Sequence, residues 1–232
     1  ALSSAASDVY KRQDLLVRGD LVVLVIPIDE AAPKGRIILP QQQVLRDVLD
    51  AHASAVVCQA EDLSRTLSTL NTPPRIVITD SQAFGQVSRD TPESVPLTSF
   101  SILMARAKGN LSAIAAGAMA ADHLQDGDRI LVSEGCTHHR QCGDIGTVKL
   151  PAWLKKHSGR QLEFDFTSGT DFPEQLEQYA MVVHCGGCML NTREVRYRYA
   201  LARSQGVPMT NYGILIAHMK GILARSIAPF GL

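Results

Sequence analysis

Residues 21–28 read LVVLVIPI, an apolar and largely β-branched run with no polar residue to mark a solvent face. A strand of that composition is buried on both faces, as a central strand of a parallel sheet must be. Apolar stripes at helical spacing follow it: Val44, Leu45, Val48 and Leu49 within 41–52, then Leu63, Leu67 and Leu70 within 61–70. Two further strand-like runs, 55–58 and 75–79 (RIVIT), lie between and after these helices. Three strands separated by helices make two βαβ units, hence a parallel sheet with right-handed crossovers.

The alternation resumes beyond residues 89–96 (RDTPESVP), a polar stretch with two prolines that reads as a domain boundary. Helices are expected at 98–108 and 111–124, a strand at 129–133, and a turn with a short helix up to residue 157. A strand at 161–167, a short helix at 173–178 and a strand at 181–184 come next. A helix at 192–204, a short strand at 208–210 and a last helix at 214–225 complete the pattern. The expected fold class is α/β, two consecutive parallel-sheet domains with flanking helices, at 14–92 and 93–232. Residues 1–13 (ALSSAASDVYKRQ) show neither periodicity and resemble translated adapter read-through. They are expected to be non-native or a disordered arm.

Lysine plus arginine number 23 and aspartate plus glutamate 23 in 232 residues, so the net charge is zero. That balance lacks the basic footprint of a general nucleic-acid binder. The longest apolar run, 21–28, contains a proline and falls well short of the roughly 20 residues that cross a bilayer. No membrane partner and a cytoplasmic location are therefore expected. Neither G-x-x-x-x-G-K-[ST] nor G-x-G-x-x-G occurs, so these residues are not expected to hydrolyse a nucleotide or to form an enzyme.

Chemistry concentrates in two strings, Cys136-Thr137-His138 and His184-Cys185-Gly186-Gly187-Cys188. Five cysteines are too few for a disulfide framework, and four of them cluster between 136 and 188. Thiolate and imidazole suit zinc or an iron–sulfur cluster. Two sulfurs flanking a Gly-Gly turn can converge on one metal centre, with glycine leaving room for it. Cys136 and Cys185 each follow an expected parallel strand, at the carboxyl ends where open α/β sheets build sites. Asn191 and Glu194 have the spacing of a helix cap, which places a positive helix end beside Cys188.

The residues alone leave two readings open. One is an interaction module with a structural zinc site drawn from Cys136, His138 or His184, Cys185 and Cys188. The other is an iron–sulfur cluster on three cysteines, with one iron open to an exchangeable ligand. Cys58 and Cys142 read as bystanders. Arg193, Arg196, Arg198 and Arg203 read as a solvated helix face, and His52, His123, His157 and His218 as surface or core histidines.

Longer strings carry a resemblance. GDLVVLVIPIDEAAPKGRIILPQQQ (19–43), LTSFSILMARAKG (97–109), EGCTHHRQCGDIGTVKLP (134–151), HCGGCMLN (184–191) and GVPMTNYG (206–213) resemble the FeFe-hydrogenase maturation GTPases, the HydF family. In that family a GTPase domain precedes a dimerisation domain and a cluster-binding domain, and this chain looks like the last two. The resemblance implies a scaffold or carrier holding a 4Fe–4S cluster through Cys136, Cys185 and Cys188, with His138 and His184 as ligands or cargo contacts. It further implies a homodimer that receives a diiron subcluster precursor made with radical-SAM maturases and delivers it to the apo FeFe-hydrogenase. Where some members carry a carboxylate seven residues after the first cysteine, Gly143 stands here, which leaves neighbouring Asp144 as a candidate fourth ligand.

Overall fold

A computed structural model describes residues 15–28, 37–135 and 144–232. The segment 1–13 lies outside the described residues. Two compact units emerge, Ala1–Leu103 with Ala224–Leu232, and Met104–Leu223.

In the first unit β1 (Leu21–Val25), α1 (Leu39–Asp50), β2 (Ser54–Cys58), α2 (Leu63–Thr69), β3 (Ile76–Thr79), α3 (Phe84–Asp90) and β4 (Leu97–Ser99) alternate, followed by the start of α4 (Phe100–Lys108). The strands pair in parallel in the order β2-β1-β3-β4. As its composition demands, β1 is central, and Val22, Val23, Leu24 and Val25 are wholly buried. Helix α1 begins where Gln41 accepts a 2.9 Å hydrogen bond from the Ile38 N–H, with Pro40 in the first turn. It lays Val44 and Val48 against Val22, Leu24, Ile76 and Ile78. Leu49, at the outer margin of the expected stripe, is exposed.

Two elements of this unit were not foreseen, α3 and β4. Strand β4 has only three residues, two of them hydroxylated, so neither length nor alternation announces it. It pairs with β3, Val77 opposite Leu97, and carries the first sheet beyond the polar 89–96 segment. The division between the units accordingly falls between Leu103 and Met104.

The second unit contains α5 (Leu111–Ala118), β5 (Arg129–Glu134), α6 (Leu150–Ser158), β6 (Glu163–Ser168), β7 (Met181–His184), α7 (Thr192–Ser204), β8 (Met209–Asn211) and α8 (Tyr212–Met219). Its sheet is again parallel, in the order β6-β5-β7-β8, the same arrangement as the first. Leu131, Leu176, Val182, Ala202, Val207 and Met209 form one of its buried clusters. The chain returns to the first unit in α9 (Leu223–Ile227), where the Arg225 guanidinium donates to the carbonyls of Ser88, Thr91 and Pro92 at 2.7–2.9 Å.

The expected helix at 173–178 does not form. Gln205, at the end of α7, takes up the backbone there: its Oε1 accepts from the Leu176 N–H and its Nε2 donates to the Glu174 carbonyl, both at 2.6 Å. A side chain thus supplies what a helical turn would. The expected helix at 111–124 is α5 plus a 3-10 stretch, Met119–His123. Among the described residues no helix is long and apolar enough to cross a membrane.

Gly117 lets α5 approach β8, since a Cβ there would sit 2.2 Å from the Met209 carbonyl oxygen. At Gly85 in α3 the nearest atom to an added Cβ is 4.0 Å away, at the end of Arg89. Gly117→Ala is expected to destabilise the chain by about 3 kcal/mol, the upper range for overpacking. Gly85→Ala is expected to stabilise it by about 0.5–1 kcal/mol through backbone entropy. Denaturant midpoints of the two variants check the pair.

Candidate metal centre

In the order β6-β5-β7-β8 the connections after β5 and β7 leave in opposite directions and open a crevice at the carboxyl ends of those strands. The register sets Ser133 opposite His184, and Gly135 and Cys185 follow within two residues of that pair. The Gly135 N–H donates to Cys185 Sγ at 3.0 Å, and the Gly187 N–H donates to the same sulfur at 3.3 Å. Two backbone donors on one sulfur match a thiolate. Cys185 and Cys188 are half-buried and in no disulfide.

The turn between them requires its glycines in different ways. Gly187 has φ +63° and a Cβ there would press to 3.1 Å from Val195, whereas a Cβ on Gly186 would meet nothing within 4 Å. The loop is therefore tight against α7 on one side and has open space beside Gly186. Lys108, almost fully buried, spans the loop from α4: its ammonium donates to the carbonyls of Gly187 at 2.7 Å, Cys188 at 3.1 Å and Leu190 at 2.8 Å. Burial pushes this amine below the ordinary lysine value, and the sulfurs of Cys188 and Cys185 oppose the shift.

Helix α7 starts as its cap pattern requires, with Asn191 Oδ1 accepting from the Glu194 N–H at 2.8 Å. The Glu194 carboxylate turns instead to Arg198, whose Nε donates to it at 2.8 Å. Arg198 is fully buried, which corrects its assignment to a solvated face; Arg193, Arg196 and Arg203 are exposed. Its Nη1 donates to His184 Nε2 at 3.1 Å and to Ser133 Oγ at 3.3 Å, and its Nη2 to the Gly169 carbonyl at 2.8 Å. The guanidinium also lies 4.8 Å from the centre of the Phe172 ring.

Because a guanidinium only donates, His184 Nε2 is the acceptor, and the Nδ1–H donates to the Cys185 carbonyl at 2.7 Å. Burial holds this imidazole neutral, pushing its pKa down to about 4. Both ring nitrogens are occupied within the protein, so in this arrangement His184 orients Cys185.

Asp144 caps the turn Ile145–Lys149, accepting from the Thr147 N–H at 3.0 Å and the Thr147 hydroxyl at 3.2 Å. Tyr212 is half-buried, and its phenol is pushed up by desolvation and by the nearby charges of Glu134, Cys185 and Asp144. Two carboxylates, Glu134 and Asp144, thus stand near Tyr212 on the Cys185 side, and the Tyr212 hydroxyl donates to Glu134 at 3.4 Å. Lys108, Glu134 and Tyr212 were not singled out from the sequence, and Arg198 was read there only as part of a solvated helix face. Cys136, His138 and Cys142 lie outside the described residues; Gly135, the last residue before them, is the donor to Cys185.

Elsewhere in the same unit Asp122, His157 and His218 converge, their ligand atoms all within 4.8 Å of one another. These two histidines thus share a partner that sequence spacing did not reveal. The group can ligate a metal, but it has no thiolate and does not indicate an iron–sulfur cluster.

Residues 12–109 match the hydrogen maturase F dimerization domain, and residues 112–229 match the hydrogen maturase F tetramerization domain. Neither matched domain is a GTPase domain. No curated protein sequence matches the chain. The second half, expected as a cluster-binding domain, thus matches a domain described by its assembly.

Arg198→Leu removes the one partner shared by His184, Ser133, Glu194 and the Gly169 carbonyl. It is expected to cost about 3–5 kcal/mol, as does breaking a buried ion pair from one side. Arg198→Lys keeps the charge without the three-way fork and is expected to fall between that and the parent. Arg193→Ala, on the exposed face, is expected to stay within about 0.5 kcal/mol. Urea titrations of the three variants check the order.

Proposed function

The chain belongs to the hydrogen maturase F family, and from that premise we propose that it is a scaffold and carrier in FeFe-hydrogenase maturation, working in the cytoplasm. In this reading Cys136, Cys185 and Cys188 hold a 4Fe–4S cluster. The observation that carries it is the Cys185 sulfur, held by the N–H groups of Gly135 and Gly187 at the ends of two paired strands. The donor set fits: two half-buried cysteines flank a glycine with open space beside it, and a third cysteine follows Gly135. When bound, a cluster on three thiolates supplies an iron with an exchangeable position.

The chain's own residues then divide the work. Lys108 draws the loop carbonyls inward and counters negative charge on the sulfurs. Arg198 acts through His184, keeping the Nδ1–H on the Cys185 carbonyl and so fixing the direction of that cysteine. Glu134 and Asp144 bring carboxylates to the same side, and Asp144 remains the proposed fourth ligand. His138 is proposed to contact the cluster or its cargo. That cargo is a diiron subcluster precursor, received from radical-SAM maturases and passed to the apo-hydrogenase. The first unit serves dimerisation and the second cluster binding, and the match of residues 12–109 to a dimerization domain supports a homodimer.

Anaerobic reconstitution of the full chain is expected to give about four irons per chain with broad visible absorption, and Cys185→Ser is expected to lower both. Iron content and spectrum unchanged in Cys185→Ser would overturn the site. Stoichiometric zinc without visible absorption, lost in Cys185→Ser, would favour the alternative, an interaction module with a structural zinc site. Sedimentation at micromolar concentration is expected to show a dimer or larger species, and a monomer would sink that part of the proposal.

A further inference from the structure

We propose that Asp122, His157 and His218 form a second metal site, binding a divalent first-row ion of the zinc class and separate from the cysteine centre. The three residues come from distant parts of the second unit: the 3-10 stretch Met119–His123, the last turn of α6 and the last turn of α8. His157 Nε2 lies 2.8 Å from Asp122 Oδ1, and His218 Nε2 lies 3.0 Å from each oxygen of the same carboxylate. The two rings meet edge to face with centroids 5.6 Å apart. The fold therefore presents two imidazoles and one carboxylate to a common point, a donor set that suits zinc and its neighbours.

The spacing is close to what coordination needs. Ligand bonds of about 2.0–2.1 Å in a tetrahedron put donor atoms about 3.3 Å apart. Each imidazole already approaches the carboxylate more closely than that, so only the two Nε2 atoms must draw together. The ligand atoms that the three residues offer all lie within 4.8 Å of one another, so the closing movement is on the order of 1.5 Å. Each neutral ring would coordinate through Nε2 and carry its proton on Nδ1. The side chains of His157, His218 and Asp122 are 25%, 13% and 38% exposed, so the group is anchored in the protein yet open to an ion from solvent.

The helix ends favour a cation. Both histidines stand at helix C-termini, where unpaired carbonyls concentrate partial negative charge. Lys155 and Lys156 share the last turn of α6, and the Lys155 ammonium lies over the Phe164 ring, 5.6 Å from its centre. Three protein ligands leave a fourth position to water or an outside donor. Coordination would clip together segments 35 and 96 residues apart in the chain.

The test is zinc titration of the untagged full chain carrying Cys136→Ser, Cys185→Ser and Cys188→Ser, which takes the proposed cluster cysteines out of the measurement. One equivalent of zinc is expected to bind and to raise the thermal midpoint. His157→Gln and, independently, Asp122→Asn are expected to weaken binding at least about tenfold, the loss that removal of even an outer-shell partner brings. X-ray absorption at the zinc edge is expected to show nitrogen and oxygen ligands with imidazole scattering. Zinc affinity unchanged in both variants, sulfur in the coordination shell, or no binding at micromolar zinc would each overturn the site. Failure here leaves the cluster proposal standing, and loss of iron in Cys185→Ser leaves this site standing.

Discussion

Two parallel strands that send their connections to opposite sides leave a gap at their carboxyl ends, and in the second unit those strands are β5 and β7. Ser133 faces His184 across the pair, so the backbone beyond each strand enters the gap at the same level. The gap has to be filled with polar groups, because N–H and C=O groups leaving a sheet need partners. Here one partner is a sulfur: the Gly135 N–H, which β7 no longer accepts, bonds Cys185 Sγ. The thiol is thus part of how the sheet ends as well as a candidate ligand. The tight turn, the glycines and the α7 cap all follow from having to reverse the chain there.

Beneath that turn lie two cationic side chains, Lys108 and Arg198, both nearly excluded from water. Burying a charge costs several kcal/mol unless its hydrogen bonds are met. Lys108 meets its own with three carbonyls, and Arg198 meets its with a carboxylate, an imidazole, a hydroxyl, a carbonyl and an aromatic face. Apolar residues of similar size would fill these spaces more cheaply. What the cations add is direction, since Arg198 decides which nitrogen of His184 carries the proton and Lys108 decides which way the loop carbonyls point.

The parts of this design that were legible in the sequence are those with a local signature. The runs at 21–28 and 181–184 announced buried strands, Asn191 with Glu194 announced the start of α7, and the cysteine strings announced where soft ligands gather. Strand β4 was hidden because three residues carry no periodicity. The stretch 173–178 read as helix because its own residues permit one, while Gln205, distant in sequence, satisfies its backbone instead. Arg198 sits among exposed arginines at ordinary helical spacing, and only the third dimension separates it from them. Asp122, His157 and His218 belong to no motif, since the convergence of three helix ends is a property of packing.

The first sheet has the same strand order and the same reversal, between β1 and β3, yet its described carboxyl edge has a different chemistry. It too ends a strand in a cysteine, Cys58, which pairs with Val25 at the end of β2. There the Cys58 carbonyl accepts the Ile26 N–H at 2.9 Å, and the thiol itself is pushed up by burial, with Thr66 only partly offsetting the shift. A thiol in that setting stays protonated and is a poor ligand. At the end of β3 the Ser81 hydroxyl bonds that of Ser101, and Asp80 accepts from the Gln82 N–H at 3.2 Å. Topology therefore supplies a crevice in both units, and the difference lies in what is aimed at the sulfur. Cys58 and Cys185 are both half-buried, so what sets them apart is the two N–H donors and nearby ammonium at Cys185, against a thiol pushed up at Cys58.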